Sequence, residues 1–397
     1  MRLPTLLLII LFAVNLLTDI YIRQTIVSRI RSCKWPLTAF QGLWVLLTLL
    51  FAAIAAMPVR GGSDAALDSL MWMLLIYISF YIPKYIFVVF DLIASIPKLF
   101  HRKRLKPLTM IGFILALVAF LTIWWGALIN RHHTQIVERD IMIDNLPEAF
   151  EGYKIAQFSD FHVGTYNDDT SFVRKVVAQI NGLNPDLIVF TGDLVSRRTS
   201  ELLPFVAPLG RLSATDGVYS VLGNHDYGDY YNWKSKDERL DNIRQMISLQ
   251  ESMGWNMLNN SHATLRRGND SIALIGVENV GDPPFATYGS LEDAYPDISD
   301  KEVKILLSHN PAHWVDDIAD HKECNIALTL AGHTHAMQMT LLGKSPASMR
   351  YKTWGGLYSD RNGDHQLYVN IGLGTVGIPM RIGATPEITL LTLRRKK

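Results

Sequence analysis

The segment KIAQFSDFH at residues 154–162 decides the fold of the C-terminal part of the chain. Its first five residues form a short apolar run that predicts a buried β-strand, and Asp160 and His162 follow directly. The same arrangement recurs in LIVFTGD (187–193), GVYSVLGNHD (217–226), VKILLSH (303–309) and IALTLAGHTH (326–335). A helical pattern at residues 171–180 separates the first two runs. Strands that alternate with helical segments predict an α/β fold.

Each of these runs ends in side chains that can bind a metal ion, and ligands of α/β sheets lie beyond the carboxyl ends of the strands. The candidate ligands are Asp160, His162, Asp193, Asn224, His309, His333 and His335. Imidazole and carboxylate ligands suit Zn, Fe or Mn better than calcium. A single histidine is more often structural than a ligand. Five such clusters in order, each at a predicted strand end, instead predict a site for two divalent metal ions about 3.5–4 Å apart.

Charge divides the chain into two unlike parts. Residues 1–130 contain 12 Lys and Arg against 4 Asp and no Glu, a balance of +8. The remaining residues contain 26 Lys and Arg against 33 Asp and Glu, a balance of −7. An acidic C-terminal part lacks the basic surface that nucleic-acid binding requires, so we expect no nucleic-acid partner.

Four apolar stretches in the N-terminal part approach the length of about 20 residues that spans a bilayer. They are Leu3–Ile22, Leu37–Met57, Leu70–Ile93 and Leu108–Ile129. The third is the weakest, because Pro83, Lys84 and Asp91 interrupt it; we expect Lys84 to snorkel or to pair, rather than to serve a function. A cleaved signal peptide is the alternative for the first stretch, but no small-residue cleavage site follows it.

The loops between these stretches predict the orientation in the membrane. The first and third loops are basic, whereas the second combines one Arg with two Asp. The basic residues are Arg23, Arg29, Arg31 and Lys34 in the first loop, and Lys98, Arg102, Lys103, Arg104 and Lys106 in the third. The positive-inside rule places both loops in the cytoplasm and the C-terminal domain on the extracytoplasmic face of the cell (inner) membrane. Cys33 and Cys324 form no spacing motif, so neither a disulfide framework nor a thiolate metal site is expected.

Together the motifs at the predicted strand ends resemble the signature of the calcineurin-like metallophosphoesterases. The resemblance covers residues 150–397, and the stretch from Gly372 to Ile388 is similar to the membrane-associated bacterial branch of that superfamily, which includes transmembrane proteins with a metallophosphoesterase domain. It implies a four-layer α/β/β/α sandwich. We therefore expect an all-α transmembrane region of about four helices at residues 1–130 and a metallophosphoesterase domain at residues 131–397.

The resemblance also implies roles for the candidate residues. One ion would take Asp160, His162 and His335, the other would take Asn224, His309 and His333, and Asp193 would bridge them. A metal-bridging hydroxide would attack the phosphorus atom. His225 would protonate the leaving oxygen or stabilise the transition state, and Asp226 would orient its imidazole.

The substrate is less well determined by the sequence. Two stretches, Tyr227–Trp233 and Lys344–Tyr358, carry clustered aromatic residues, and the second also carries basic residues. Such residues suit a lipid headgroup region. The simpler alternative is that they pack within ordinary loops. We expect hydrolysis of a phosphodiester or phosphomonoester, with lipid-linked esters among the options. The alternatives are a pyrophosphatase of the UDP-2,3-diacylglucosamine type and, in a different class, a non-catalytic membrane scaffold or receptor. The last is disfavoured because no ligand is missing. The oligomeric state stays open.

Overall fold

The structure is a computed structural model that describes residues 5–25, 35–57, 61–295, 302–320 and 325–396. Both cysteines, and the basic residues Arg29, Arg31 and Lys34 of the first loop, lie outside the described residues. The chain forms two compact units. One comprises Met1–Ile129 with Gly377–Met380, and the other comprises Asn130–Val376 with Arg381–Lys397.

The first unit is helical. Its helices are α1 (Thr5–Thr25), α2 (Trp35–Ala56), α3 (Asp64–Ser95) and α4 (Lys106–Leu128). All four are long and apolar enough to cross a membrane, which confirms the four predicted spans. The third is longer than predicted, because the helix extends beyond Leu70 and Ile93 to Asp64 and Ser95; it also continues without interruption through Pro83. A proline is tolerated within a transmembrane helix where neighbouring helices satisfy the freed backbone groups.

Two ion pairs join ionisable side chains within this unit. The Lys84 ammonium lies 2.7 Å from Oδ1 of Asp19, and the Tyr81 hydroxyl donates to Oδ2 of the same carboxylate at 2.8 Å. Asp91 pairs in the same way with Arg104. Lys84 therefore follows the predicted pairing rather than snorkelling towards the interface, since its side chain is only 12% exposed.

The second unit contains the remaining elements. Its strands are β1 (Gln135–Ile143), β2 (Lys154–Phe158), β3 (Leu187–Phe190), β4 (Val218–Ser220), β5 (Trp255–Met257), β6 (Ser261–Arg267), β7 (Asp270–Gly276), β8 (Lys304–Leu307), β9 (Leu328–Ala331), β10 (Gly356–Ser359), β11 (Gln366–Val369) and β12 (Glu387–Arg395). Its α-helices are α5 (Ser171–Gly182), α6 (Val206–Leu209), α7 (Lys236–Ser252), α8 (Leu291–Ala294) and α9 (Ala312–Asp317). The five strands that the sequence predicts are all present.

These strands form two six-stranded mixed sheets. The first has the order β1-β12-β2-β3-β4-β5, and β2 to β5 run parallel. The second has the order β10-β11-β9-β8-β7-β6, and β7, β8, β9 and β11 run parallel. In each sheet the parallel strands send their carboxyl ends to the same edge, which is where the ligand-type residues follow.

Alternating residues of the buried strands enter different hydrophobic cores, as the two-residue period of a strand requires. In β3, Leu187 and Val189 belong to a core shared with Ile305 and Leu307 of the second sheet. Ile188 and Phe190 belong instead to a core that α5 and α7 cover. A third core joins the second sheet to α9 through Trp314. The order helix, sheet, sheet, helix confirms the predicted four-layer sandwich.

Candidate metal centre

The seven predicted ligands follow the carboxyl ends of five strands, three from the first sheet and two from the second. Each lies in the turn immediately after its strand, so both sheets contribute to one site. Five of the seven have a left-handed backbone conformation: Asp160, His162, Asp193, His333 and His335. Such conformations are uncommon for residues other than glycine and concentrate at functional sites.

Two glycines allow these turns to approach one another. A Cβ atom on Gly332 would lie 1.9 Å from Oγ of Ser159 and 2.4 Å from Oδ2 of Asp160. A Cβ atom on Gly223 would lie 2.2 Å from Oδ1 of Asp193. Any larger residue at either position would therefore separate the strand ends that carry the candidate ligands.

The first cluster of donor atoms consists of Asp160, His162, Asp193 and His335, all buried. Nε2 of His335 lies 3.1 Å from Oδ1 of Asp160 and 3.0 Å from Nε2 of His162. Nε2 of His162 lies 3.7 Å from Oδ2 of Asp193. One donor atom from each residue falls within 4.8 Å of all the others, which is a spacing that can hold a metal ion.

The second cluster consists of Asp193, His309 and His333, and Asn224 lies against it. Nε2 of His309 is 3.2 Å from both Oδ2 of Asp193 and Oδ1 of Asn224. Nδ1 of His333 is 2.9 Å from the same oxygen of Asn224. Asp193 belongs to both clusters, so its carboxylate lies between the two groups of donors.

The contacts of the ring nitrogens that point away from the site indicate whether each histidine can bind a metal ion through its other nitrogen. Nδ1 of His162 lies 3.1 Å from the Val195 carbonyl, and Nδ1 of His309 lies 2.7 Å from the Thr191 carbonyl. A carbonyl only accepts, so Nδ1 carries the proton and the inward Nε2 of a neutral ring has a free lone pair. These contacts are the ones that orient metal-binding histidines.

The other two imidazoles differ in their outward contacts. Nε2 of His333 lies 3.1 Å from the Tyr351 hydroxyl, which leaves Nδ1 facing Asn224. Nδ1 of His335 lies 3.3 Å from Nη2 of Arg381, a group that only donates. In this tautomer Nε2 of His335 donates to Asp160, so a cation can bind there only when the proton sits on Nδ1 instead and the contact with Arg381 is lost.

Charges within the site shift the pKa values of its members. Burial alone would raise the pKa of Asp193, but the neighbouring His309 and His225 hold it well below its usual range. Burial alone would lower the pKa of His309. The neighbouring Asp193 carboxylate stabilises the charged imidazole and raises this pKa to about 9. Burial and then the charge of His309 lower the pKa of His333 to about 3. Asp193 is therefore ionised at neutral pH and favours cations at the centre of the site.

The Asp226 carboxylate contacts the backbone, whereas the His225 imidazole that it was predicted to orient has another partner. The carboxylate accepts four backbone N–H groups, from Asp193, Leu194, Val195 and Gly223. The four donor–acceptor distances lie between 2.8 and 3.2 Å. Burial and then the charge of Asp193 raise the pKa of Asp226 to about 7, against the effect of these N–H groups. Asp226 thus fixes the turns that follow β3 and β4.

The His225 imidazole is oriented by a backbone carbonyl. Its Nδ1 lies 2.6 Å from the Ser196 oxygen, and the Tyr230 ring stacks on it with centroids 4.1 Å apart. The Tyr230 hydroxyl also accepts from Nδ2 of Asn224 at 2.8 Å, which turns Oδ1 of Asn224 towards the histidines. Tyr230 was singled out in the sequence only as part of an aromatic stretch, and no motif indicated the Ser196 contact.

Arg381 is a further residue that the sequence did not indicate. It is fully buried and donates to the carbonyl groups of Ile371, Gly374 and Ala384. These contacts tie the segment after β11 to His335. Arg381 lies in the stretch from Gly372 to Ile388, which is noted in the sequence only for its family resemblance, and no spacing signal marks this arginine.

Comparison with known proteins identifies the family. Residues 153–337 match the family model "Calcineurin-like phosphoesterase", and residues 1–131 match "Probable Calcineurin-like phosphoesterase, transmembrane domain". The transmembrane protein with metallophosphoesterase domain of Danio rerio is 29% identical over 96% of this chain and 87% of its own length. The uncharacterized metallophosphoesterase YkuE of Bacillus subtilis is 32% identical over 67% of this chain and 87% of its own length.

A third relative carries a named activity. The UDP-2,3-diacylglucosamine pyrophosphatase LpxG of Chlamydia trachomatis is 29% identical over 62% of this chain and 86% of its own length. Both parts of the chain thus have counterparts in known proteins, and the matched regions contain all seven candidate ligands. The chain belongs to the calcineurin-like phosphoesterases, and it is a membrane protein in which a phosphoester hydrolase domain follows four transmembrane helices.

Proposed function

We propose that the chain hydrolyses a phosphodiester or phosphomonoester at a binuclear metal centre. The observation that carries this proposal is the position of Asp193, whose carboxylate belongs to both clusters of donor atoms. Two-metal hydrolases require ions about 3.5–4 Å apart, and a shared carboxylate is the simplest way to hold them at that spacing.

The donor sets support a specific assignment. Asp160, His162 and His335 would hold one ion. Asn224, His309 and His333 would hold the other, with Asp193 common to both. When bound, two divalent cations lower the pKa of water and neutralise charge on the phosphoryl oxygens. The mixed imidazole and carboxylate donors favour Mn, Fe or Zn.

His225 is the proposed proton donor to the leaving oxygen. Its Nδ1–H donates to the Ser196 carbonyl, so the opposite nitrogen, Nε2, is the one available to the substrate. Its backbone N–H donates to Oδ1 of Asp193 at 2.8 Å, which couples its position to the shared carboxylate. The side chain is half-buried, and the Tyr230 ring covers one of its faces. A proton donor held in this way needs no reorientation during the reaction.

The charges of the helical region support a proposal for the location of the site in the cell. Lys98, Arg102, Lys103 and Arg104 lie between α3 and α4, and Lys106 is the first residue of α4. The first loop is basic as well. By the positive-inside rule we propose an inner-membrane protein with the hydrolase domain, residues 131–397, on the extracytoplasmic face.

A second candidate function is cleavage of a UDP-linked diacylglucosamine pyrophosphate. The similarity to LpxG favours it, because that relative is named for this activity. The proposed orientation opposes it, since nucleotide-linked precursors are cytoplasmic. Evidence that the hydrolase domain faces the cytoplasm would make it the preferred function.

Hydrolysis of chromogenic esters by the full-length chain in detergent tests the proposal. The protein is stripped of metal, and bis-p-nitrophenyl phosphate and p-nitrophenyl phosphate are assayed before and after Mn, Fe or Zn is restored. We expect metal-dependent cleavage, and the preferred ester identifies a diesterase or a monoesterase. Absence of cleavage in a folded protein that has bound two metals would contradict the proposal.

A further inference from the structure

A loop that follows the metal centre exposes large apolar side chains. We call residues 337–349 the apolar loop. Leu342 is 95% exposed, Met349 is 91% exposed and Leu341 is 74% exposed, and Met337 and Met339 are exposed as well. Single exposed apolar residues are ordinary on a soluble surface, but a group of large ones close together in one loop favours a binding surface.

The charged residues within the apolar loop and just after it are all basic. No Asp or Glu occurs between Ala336 and Ser359, whereas the same stretch contains Lys344, Arg350 and Lys352. All three cations are exposed, and Arg350 also contacts Asp282. This basic stretch lies within a domain whose overall balance is −7, so the loop differs in charge from the rest of its domain.

Hydrogen bonds hold the apolar loop in this outward conformation. Thr340 N–H donates to the Ile382 carbonyl at 2.8 Å, and Ile382 N–H donates to the Gln338 carbonyl at 2.9 Å. The tip closes as a turn in which Leu341 and Lys344 exchange backbone hydrogen bonds. Leu342 has a left-handed backbone conformation, which is unfavourable for a leucine. The fold therefore maintains the exposure of these side chains at a cost in free energy.

Both ends of the apolar loop are attached to the candidate metal centre. Its first residue comes two positions after His335, one of the candidate ligands. Two positions after its last residue, the Tyr351 hydroxyl lies 3.1 Å from Nε2 of His333. A surface that binds the loop is consequently brought next to the metal centre.

We infer that the apolar loop inserts into the lipid bilayer at the boundary between headgroups and acyl chains. Apolar side chains with adjacent cations are the combination that binds the surface of anionic membranes. The bilayer is always available, because the same chain spans it, and only six residues separate the end of α4 at Leu128 from the start of β1 at Gln135. The inference also names phosphoesters of membrane lipids as the substrate class. In that respect it rests on the proposed function, which is hydrolysis of a phosphoester.

The depth of residue 342 in the membrane tests the inference. A spin label is attached to Leu342→Cys in the full-length chain, with both native cysteines replaced by serine, in vesicles of phosphatidylcholine and phosphatidylglycerol. The control label is attached to Asn269→Cys, at the exposed turn between β6 and β7. We expect the label at 342 to collide more often with oxygen than with a water-soluble nickel chelate, and the control label to show the reverse.

Two outcomes of this measurement would overturn the inference. Equal accessibility of both labels to the nickel chelate would place the apolar loop in water. Protection of the label at 342 that disappears when the protein is diluted in the bilayer would identify a second copy of the chain as the occupant.

A kinetic measurement separates this inference from the proposed function. In the variant Leu341→Ser, Leu342→Ser, we expect about a tenfold fall in the ratio of the rate on phosphatidic acid or phosphatidylglycerol in vesicles to the rate on bis-p-nitrophenyl phosphate. Val315→Ser on α9, another exposed apolar position, should leave that ratio unchanged. An unchanged ratio in the loop variant would contradict the inference alone. A label buried in the bilayer on a protein that cleaves no ester would contradict the proposed function alone.

Discussion

Replacing Asp226 by asparagine distinguishes two possible roles for this carboxylate: orienting the His225 imidazole, and anchoring the turns that follow β3 and β4. If Asp226 acted on the His225 imidazole, the variant would keep its stability and its metals and would lose only rate. In the structure Asp226 instead holds the turns that carry Asp193 and Gly223, through four backbone N–H groups. We therefore expect Asp226→Asn to destabilise the domain and to weaken metal binding.

The size of the effect follows from the hydrogen bonds. Oδ1 of Asp226 accepts from Leu194 and Val195, and Oδ2 accepts from Asp193 and Gly223. An asparagine keeps only one acceptor oxygen, so two buried N–H groups lose their partner. Each unsatisfied group costs about 1–3 kcal/mol, which amounts to about 2–6 kcal/mol for the pair. For a domain of this size the loss corresponds to a fall in Tm of at least about 4 °C.

Differential scanning fluorimetry of the full-length chain in detergent, combined with metal analysis, measures both effects. The relevant transition is the one that a chelator shifts, because it reports unfolding of the domain that binds metal. His225→Ala is the matched control at the neighbouring residue and should retain both Tm and metal content. If Asp226→Asn keeps two metals and a Tm within 1 °C of the unchanged protein, the anchoring role is refuted.

Three further predictions concern catalysis, acid stability and topology. His225→Ala should keep its metals and lose about 10²–10⁴-fold in rate, most severely for esters with poor leaving groups; an equal loss for good and poor leaving groups would argue against a proton donor. Burial lowers the pKa of His313 from 6.5 to about 4, so the unfolded chain binds more protons between these values and stability falls as the pH falls, by about 3 kcal/mol. His313→Gln should therefore show a smaller loss of Tm between pH 7 and pH 4, and parallel curves would contradict this cause. A cysteine at position 269, in a chain without its native cysteines, should react with an impermeant reagent outside intact cells; reaction only after permeabilisation would place the domain in the cytoplasm.

The helical part of the fold could be predicted closely from sequence because hydropathy alone determines it. Uncharged stretches of spanning length correspond to α2 and α4, and the third stretch differs only in its extent. The contact between Lys84 and Asp19 could not be chosen in advance over snorkelling. That choice depends on which helix faces which, and the apolar pattern does not encode it.

The residues that the structure brings together as candidate metal ligands could also be selected from sequence. Their side chains are of few chemical types and follow apolar runs directly, and parallel strands bring such positions to one edge. Contacts made through the backbone could not be predicted from the sequence. The Ser196 carbonyl that orients His225, and the N–H groups that bind Asp226, depend on loop conformation rather than on residue type. Arg381 was missed for a related reason, since its partners are carbonyl groups of a loop.

The central claim is that one carboxylate, Asp193, joins two metal sites. Electron paramagnetic resonance of the full-length chain loaded with Mn²⁺, with Asp193→Asn for comparison, tests it most directly. Ions at the spacing of a two-metal hydrolase, about 3.5–4 Å, are close enough for their spins to couple. We expect two Mn²⁺ per chain with an exchange-coupled spectrum, and loss of that spectrum in the variant. A single Mn²⁺ per chain, or two ions without coupling in the unchanged protein, would contradict it.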